Sequence, residues 1–144
     1  MNMDYIQLTS PCGIDCFNCE IFEKNVTPEL QNRLGSIFGK KPEEITCRGC
    51  RVSGCLFIPY PCPTKVCVES KGVDFCCDCD EFPCDKLHPC ADRADALPHN
   101  LKLFNLCRIK AVGLENWAKE TKAIRRKYFK GKMMIGKGPQ EADS

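Results

Sequence analysis

Long apolar runs and a secretory signal are both missing from this chain of 144 residues. No apolar run approaches the roughly 18 residues that a membrane-spanning helix needs. The longest run, Cys55 to Cys62, is short and contains two prolines. The first ten residues carry Asp4 and no basic side chain, unlike a secretory signal. We therefore expect no membrane partner and a cytoplasmic location.

Motifs of the common nucleotide-binding enzymes and metalloproteases are absent as well. The sequence contains no phosphate loop, no dinucleotide-binding glycine fingerprint and no His-Glu-x-x-His. A nucleophilic cysteine needs a base within reach, yet the chain has only two histidines, and neither has a marked context. The sequence therefore gives no reason to predict an enzyme.

Ordinary apolar residues are scarce, whereas cysteine is abundant. The hydrophobic fraction of 43% includes 14 cysteines, and without them about a third of the chain is apolar, which is little for a globular domain. Thiols stay reduced in the cytoplasm, so clustered cysteines there indicate metal binding or redox chemistry more than a disulfide framework. We expect metal ions to supply the stability that the apolar core lacks.

Most of the cysteines follow one another at the spacings of metal ligands. A tight turn between two cysteines places both thiolates about 3.5–4 Å apart, as a tetrahedral ion with metal–sulfur bonds near 2.3 Å requires. Gly49 lies inside one such pair and Gly13 follows the first cysteine, as tight turns favour. Backbone N–H groups in these turns can also donate to the sulfurs. The predicted ligands are Cys12, Cys16, Cys19, Cys47, Cys50, Cys62, Cys67, Cys76, Cys79 and Cys84.

The other cysteines and one histidine have weaker signals. Cys77 is adjacent to Cys76, and neighbouring side chains diverge in an extended chain, so only Cys76 is predicted to bind metal. Cys107 lies on a helical stripe and is predicted to be a small buried apolar residue, while Cys90 fits either role. His88 lies at x3 spacing beyond Cys84 and could complete a Cys3His site, although this position is more typical of an exposed turn. Cys55 follows Cys50 at x4 spacing, and its role stays open.

The number of ions depends on how many thiols take part. Ten ligands suit two zinc ions with spare thiols, and twelve would suit three; the spacing does not assign ligands to sites. A structural zinc contributes about 10 kcal/mol or more to folding, while a whole domain is stable by only about 5–15 kcal/mol. The metal-free chain is therefore predicted to be largely unfolded over residues 45–90.

An iron–sulfur cluster is the main alternative to zinc. Thiolates at these spacings can also hold such clusters, which would make the chain a redox or electron-transfer protein. The charged knuckle Asp78-Cys79-Asp80-Glu81 fits zinc at least as well. We expect the acidic side chains of Asp15, Asp78, Asp80 and Glu81 to solvate the metal knuckles. The Phe82 ring is expected to pack on the metal core. Closed four-thiolate zinc sites leave no open position for a substrate, which favours a structural role for the metal. We therefore predict an interaction module whose partner is unknown.

Charge is divided unevenly along the chain. Residues 1–101 carry a net charge of −5 and residues 102–144 a net charge of +7. A basic stripe interleaved with aromatics can neutralise phosphates and stack on bases, so nucleic-acid binding is a further hypothesis. The other interpretation is a solvated helix face whose cations suit the negative end of the helix. The stripe comprises Lys119, Lys122, Arg125, Arg126, Lys127, Lys130 and Lys132, with Tyr128 and Phe129 between them.

Helical signals flank the cysteine-rich centre. Thr27 is a good N-cap, Pro28 suits the first helical position and Gly39 can end the helix, which predicts a helix over 27–38. Its apolar face would hold Leu30, Leu34, Ile37 and Phe38. One or two helices are expected within 99–128, broken at Gly113. Their buried stripes would comprise Leu101, Phe104 and Cys107 or Arg108, followed by Leu114, Trp117, Ala118, Thr121 and Ile124.

Together these features predict a small, irregular α+β fold with several helices and few short strands around a metal-nucleated centre. Residues 1–128 would form one cysteine-rich domain, with knuckles at 12–19 and 47–90. Residues 129–144 contain three glycines and a proline without a core pattern, so they are predicted to form a loose basic tail.

The order of the motifs resembles an uncharacterised cysteine-rich family, the domain of unknown function 3795. The run Cys12-Gly13-Ile14-Asp15-Cys16-Phe17-Asn18-Cys19 is similar to its opening and Cys47-Arg48-Gly49-Cys50 to its second element. Cys62, Cys67 and the run from Lys71 to Leu87 are similar to its third element. The stretch from Leu97 to Trp117 is similar to the helical tail of some members, so the resemblance covers roughly residues 10–120. It implies a metal-binding domain, with zinc the usual metal, and no agreed activity.

Overall fold

The computed structural model describes residues 3–54, 58, 60–91 and 93–142. Within these ranges it contains six α-helices and a two-stranded antiparallel sheet, which confirms the small irregular α+β fold. None of the described helices has the length and apolar content needed to cross a bilayer. The helices are α1 (Tyr5–Leu8), α2 (Pro28–Phe38), α3 (Cys50–Ser53), α4 (Pro63–Lys71), α5 (His99–Val112) and α6 (Leu114–Lys130). The strands are β1 (Lys132–Met134) and β2 (Gly138–Gln140), and short 3₁₀ turns lie at Cys16–Asn18, Pro42–Glu44, Cys76–Asp78 and Asp85–Leu87.

The chain divides into two compact units, each made of two segments. Unit 1 comprises Met1–Ser10 and Asp15–Cys62, and unit 2 comprises Pro11–Ile14 and Pro63–Ser144. The short segment Pro11–Ile14 therefore belongs to a different unit from the residues on both sides of it. Cysteines run through both units without a break in composition, so the sequence carries no signal for this division.

Helix α2 in unit 1 begins and ends at the predicted residues. The Thr27 hydroxyl accepts a hydrogen bond from Leu30 N at 3.2 Å, Pro28 occupies the first turn and Gly39 ends the helix with φ +66°. These are the standard devices for satisfying the unpaired groups at helix ends.

The predicted apolar face of α2 is only partly correct. Leu30 and Leu34 are half-buried, but 66% of Ile37 and 46% of Phe38 are exposed. The chain folds back onto another face of the helix, where a Cβ added at Gly35 would lie 2.7 Å from Lys40 O. This close approach, which only glycine permits, decides the buried side of the helix.

The apolar core of unit 1 is small. Among its described residues only Ile21, Phe22 and Ile45 are buried large apolar side chains. Polar contacts add to it: Gln31 Nε2 donates to Ile45 O at 3.1 Å, and Arg51 Nε donates to Thr9 O at 2.8 Å. Unit 1 thus combines a small apolar core with side-chain hydrogen bonds to its backbone.

The helical pair α5 and α6 supplies the core of unit 2. Gly113, with φ +88°, separates the two helices where the sequence predicted a break. The stripe predicted for α6 is largely confirmed, since Leu114 is half-buried and four further positions are buried. These four are Trp117, Ala118, Thr121 and Ile124.

The stripe predicted for α5 was wrong beyond its first residue. Phe104 and Cys107 are exposed, and Arg108 is half-buried. The buried side chains are instead Leu101, Lys102, Asn105, Leu106 and Ile109. Two of these buried residues, Lys102 and Asn105, are polar. Apolar periodicity alone therefore predicted a face that is rotated about the helix axis from the observed one.

Helix α4 was not predicted, because its apolar pattern is weak and only Thr64 and Val68 are buried. Its ends carry the same signals that identified α2. Pro63 begins the helix, and Gly72, with φ +67°, follows its last residue. The proline–glycine asymmetry was therefore present in the sequence but lay within a segment interpreted as metal knuckles and turns.

Residues 132–140 form a hairpin within the segment that was expected to be a loose tail. Strand β1 pairs antiparallel with β2, with Lys132 opposite Gln140 and Met134 opposite Gly138. Gly136 and Gly138 adopt φ of +85° and +78°, which glycine tolerates best, and so permit the reversal. The apolar side chains at the tip remain exposed, with Ile135 at 100%.

Candidate metal centres

The ten predicted metal ligands divide equally between the two units. Each unit therefore has enough thiols for one four-thiolate site and one spare. Unit 1 contains Cys16, Cys19, Cys47, Cys50 and Cys62; unit 2 contains Cys12, Cys67, Cys76, Cys79 and Cys84.

The first pair in unit 1 is shaped by a 3₁₀ turn at Cys16–Asn18. Cys19 N donates to Cys16 O at 3.0 Å, which places the two cysteines at the ends of one tight turn. Asp15 is 1% exposed and its carboxylate accepts a hydrogen bond from Asn18 Nδ2 at 2.9 Å. The prediction that Asp15 solvates the knuckle was wrong, since this carboxylate is buried and braces the turn.

The second pair in unit 1 is attached to the first through the backbone. Cys47 N donates to Ile21 O at 2.9 Å, and Glu23 N donates to Cys47 O at 2.8 Å. These two bonds form a parallel bridge between Phe22 and Cys47. The segment that leaves the first knuckle therefore lies beside the start of the second.

A backbone donor reaches a sulfur at this second pair. Gly49, with φ +102°, directs its N–H to Cys47 Sγ at 3.3 Å. The Ser53 hydroxyl accepts from Arg48 N at 3.0 Å and lies 3.8 Å from the same sulfur. Such N–H donors stabilise negative charge on sulfur, as a metal-bound thiolate requires.

Unit 2 repeats the geometry of the first knuckle. Cys79 N donates to Cys76 O at 3.1 Å, and Phe82 N donates to Cys79 O at 3.2 Å. In unit 1, Phe22 N likewise donates to Cys19 O at 3.1 Å. The shared pattern is Cys-x2-Cys-x2-Phe, and it represents a structural repeat that the cysteine spacing alone had not revealed.

A cavity of about 130 Å³ opens beside the unit 2 knuckle. Its wall includes Phe82 beside the cysteines, and packing of this ring on a metal core stays a prediction. Burial and then the neighbouring thiols, Cys12 before Cys84 and Cys67, raise the pKa of Cys76 to about 12. The cysteines lining the cavity are Cys67, Cys76, Cys79 and Cys84.

Cys79 has a cationic partner that the sequence did not identify. Lys71 Nζ donates to Cys79 Sγ at 3.0 Å and also pairs with the Glu81 carboxylate. The hydrogen bond from Lys71, followed by that from Glu81 N at 3.3 Å, lowers the pKa of Cys79. Lys71 lies one or two helical turns beyond Cys67 and Thr64, so its place on α4 could be found only once α4 was known.

The structure also places the cysteines outside the predicted ligand set and His88, which had weaker signals in the sequence. Cys77 is buried, and burial followed by the Asp78 charge raises its pKa to about 11. Cys107 is exposed, so the prediction of a buried residue was wrong because the buried face of α5 lies elsewhere. His88 is exposed in a left-handed turn with φ +50°, and Cys90 is half-buried. Cys55 lies outside the described residues.

The described thiols do not converge into a coordination sphere. Across residues 3–54, 58, 60–91 and 93–142, no three His, Cys, Asp or Glu side chains are grouped so that they could hold a metal ion. No disulfide links the thirteen cysteines described. The metal ligands and the number of ions therefore stay predictions.

The basic stripe of α6 is partly engaged in contacts with its own chain. The Arg125 guanidinium lies 5.3 Å from the centre of the Phe129 ring, and Arg126 pairs with Glu141 at 2.9 Å. The Tyr128 ring lies 5.4 Å from that of Phe104. Nucleic-acid binding stays a prediction, and it requires binding at low salt that weakens steeply as salt is added.

A comparison with known protein families gives a match over most of the cysteine-rich part of the chain. The family model described as "Protein of unknown function (DUF3795)" matches residues 8–89, which is more than half of the chain. The predicted resemblance is thus confirmed, although its helical part, expected as far as about residue 120, lies beyond the matched range. No curated protein and no solved structure matches the chain.

Proposed function

We propose that this chain, which belongs to the DUF3795 family of proteins of unknown function, is a zinc-binding protein of the cytoplasm. Its zinc sites would be structural and would be formed by cysteine thiolates. The fold that they stabilise would act as an interaction module for a protein partner.

The observation that carries this proposal is that four cysteines, Cys67, Cys76, Cys79 and Cys84, line one cavity in unit 2. Burial first, and then the charges of neighbouring thiols, raise the pKa of Cys76 to about 12. A divalent cation would reverse this effect, because it stabilises every thiolate around it. The adjoining cavity of about 130 Å³ is smaller than the roughly 300–1,000 Å³ of small-molecule sites, which favours an ion over an organic ligand.

The sulfur environment also fits a bound metal. Backbone N–H groups two residues beyond Cys47 and Cys79 donate to the two sulfurs, both at 3.3 Å. Four thiolates around Zn²⁺ carry a net charge of −2, which these donors and the Lys71 ammonium would spread and offset. Five predicted ligands in each unit support one zinc ion per unit.

A structural role follows from the ligand set. Four thiolates close the coordination sphere of zinc and leave no position for a substrate. A run of exposed apolar side chains in the hairpin of unit 2, Met133, Met134 and Ile135, is the kind of surface that protein partners cover. These features support binding of a partner more than catalysis.

The test is the metal content of the protein purified without oxygen, measured together with its visible absorption. We expect about two zinc ions per chain and no visible band. Cys107→Ser is the matched control, because Cys107 is exposed and lies outside the predicted ligands, so its metal content should be unchanged. Iron with acid-labile sulfide and a broad visible band would replace zinc by an iron–sulfur cluster, and a metal-free, folded chain would overturn metal binding altogether.

A further inference from the structure

We infer that the hairpin of β1 and β2 docks on an anionic lipid bilayer, with its apolar tip in the membrane interface and its lysines among the lipid headgroups. This goes beyond the proposed function by naming a lipid surface as the occupant of the hairpin, and a protein partner at the same tip is an outcome of the test. The sequence led us to expect no membrane partner because no segment is long enough to span a bilayer. A tip that enters only the interface needs no such segment.

The apolar tip of the hairpin is exposed on both of its faces. Met133 and Met134 are 74% and 48% exposed, and Ile135 is wholly exposed. Successive side chains of a strand point to opposite faces, so the two methionines of β1 lie on opposite sides of the hairpin. A flat protein surface would cover only one of these sides, whereas a bilayer surrounds an inserted tip on every side. The tip also offers no aromatic ring on which a nucleic-acid base could stack.

Backbone contacts hold the hairpin at the end of α6. Gly131 follows the helix, and its N–H donates to Lys127 O at 3.0 Å. A Cβ on Gly131 would have no room beside Gln140 O, so the second strand returns directly against the residue after the helix. At the tip, Lys137 N donates to Met134 O at 3.1 Å and closes the turn. The exposure of the apolar side chains is therefore a property of a formed hairpin, which favours docking with little ordering cost.

Positive charge surrounds the tip without an acidic residue among it. Residues 121–140 carry seven Lys or Arg side chains and no Asp or Glu. Glu141 follows this segment, and its carboxylate pairs with Arg126 at 2.9 Å, which offsets its charge. Lys132 and Lys137 lie before and after the apolar run, and both are exposed. Cations beside exposed apolar side chains complement an anionic bilayer, of the kind that the cytoplasmic leaflet presents.

The distance from the lysines to the tip suits an interfacial insertion. A strand rises about 3.3 Å per residue, so Ile135 lies at most about 10 Å from Lys132 along the hairpin. Apolar surfaces at a membrane interface are buried about 5–10 Å into the boundary between headgroups and acyl chains. With Ile135 at that depth, the Lys132 ammonium stays among the headgroups, because lysine side chains extend towards the polar region.

Insertion of the tip is tested with the full-length Ile135→Trp variant and vesicles of phosphatidylcholine with about 30% phosphatidylserine. We expect the emission of the new indole to shift to shorter wavelength and to be quenched when the acyl chains are brominated. The wild-type chain gives the background, because its single tryptophan, Trp117, is fully buried. Absence of quenching would overturn the inference and leave the tip to a protein partner.

Sedimentation with the same vesicles separates the apolar contribution from the charge. Met133→Ser combined with Ile135→Ser should weaken binding by about 10-fold or more, and Lys132→Gln by about 5-fold, as expected for one lysine at an anionic surface. The matched controls are Ile37→Ser and Lys24→Gln, which remove an exposed apolar side chain and an exposed cation from unit 1 and should bind as wild type.

Three results of this assay would overturn the inference. They are no binding to anionic vesicles at low salt, equal binding by the wild type and the variant without Met133 and Ile135, and binding of single-stranded RNA but not of vesicles. The last result would assign the cations to nucleic acid. None of them bears on zinc binding, since the hairpin contains no predicted zinc ligand.

Discussion

Units 1 and 2 carry the same knuckle on different supports. In each unit, a Cys-x2-Cys turn is followed by a phenylalanine whose backbone N–H donates a hydrogen bond to the carbonyl oxygen of the second cysteine. The phenylalanine is Phe22 in unit 1 and Phe82 in unit 2. Unit 1 backs its knuckle with three buried large apolar residues among those described, whereas unit 2 has the buried faces of α5 and α6. The comparison teaches that one local motif can be backed by very different amounts of apolar surface, and it predicts that the knuckle with less apolar support depends more on a bound metal.

Metal removal should separate the two units most clearly. Chelation under reducing conditions removes about 10 kcal/mol or more of folding free energy per structural zinc. We expect unit 1 and residues 63–90 to lose amide protection, while α5 and α6 keep part of theirs through the core around Trp117. Hydrogen exchange by segment, with circular dichroism, measures this. Unchanged protection and an unchanged thermal midpoint would refute a structural role for the metal.

Gly13→Ala should be the most damaging single substitution considered in unit 2. Its φ of +91° costs an L-residue about 1–2 kcal/mol, and the new Cβ would lie 2.8 Å from Lys102 O, adding about 1–3 kcal/mol. We expect the free energy of unfolding to fall by about 2–5 kcal/mol in urea titrations. Gly72→Ala is the matched control, since φ is +67° there but no atom lies within 4 Å of the Cβ. Equal losses in both variants would show that the close approach at Gly13 contributes nothing.

Asn105→Ala tests the polar centre of the unit 2 core. Asn105 is 1% exposed, donates to Gly13 O and accepts from Trp117 Nε1 at 3.1 Å. Truncation leaves two buried groups without their partner, each at a cost of about 1–3 kcal/mol, so we expect a loss of about 2–4 kcal/mol in chemical unfolding. Asn116→Ala removes an exposed hydrogen bond to Val112 O and should change stability by less than about 0.5 kcal/mol. Similar values for both variants would contradict the buried network.

The smallest expected effect lies in unit 1, at the N-cap of α2. Thr27→Ala removes the acceptor for Leu30 N and should cost about 1 kcal/mol. Hydrogen exchange should report the loss in α2, with α5 and α6 unaffected. Ser36→Ala, at an exposed position of the same helix, should be neutral or slightly stabilising. Loss of protection in α5 upon Thr27→Ala would show that the two units do not respond separately.

Local signals in the sequence were sufficient where one residue type has one physical role. The cap at Thr27, the stop at Gly39 and the break at Gly113 were all found from the sequence, because they depend on a hydroxyl acceptor or on positive φ. The stripe of α6 was found because its buried positions are mostly apolar. The buried face of α5 was missed because Asn105 and Lys102 occupy it, and polar residues there are explained only by distant partners.

The candidate sites show the same limit. Spacing identified the cysteines and favoured Cys76 over Cys77, and which of the two binds a metal stays a prediction. Spacing could not separate Cys12 from Cys16, since three intervening residues are compatible with a shared ion. It also gave no signal for Lys71, which reaches Cys79 only because α4 runs past the knuckle.

By itself, the sequence determined that this is a small α+β chain with a thin apolar core and cysteines at metal-ligand spacings. It also determined the ends of α2 and the break before α6, since caps and glycines act over a few residues. Only the tertiary structure decided that Pro11–Ile14 belongs with residues 63–144, and which cysteines line one cavity with Cys76. These features depend on hydrogen bonds between residues far apart in the chain, such as Asn105 to Gly13, and no local pattern encodes such pairings.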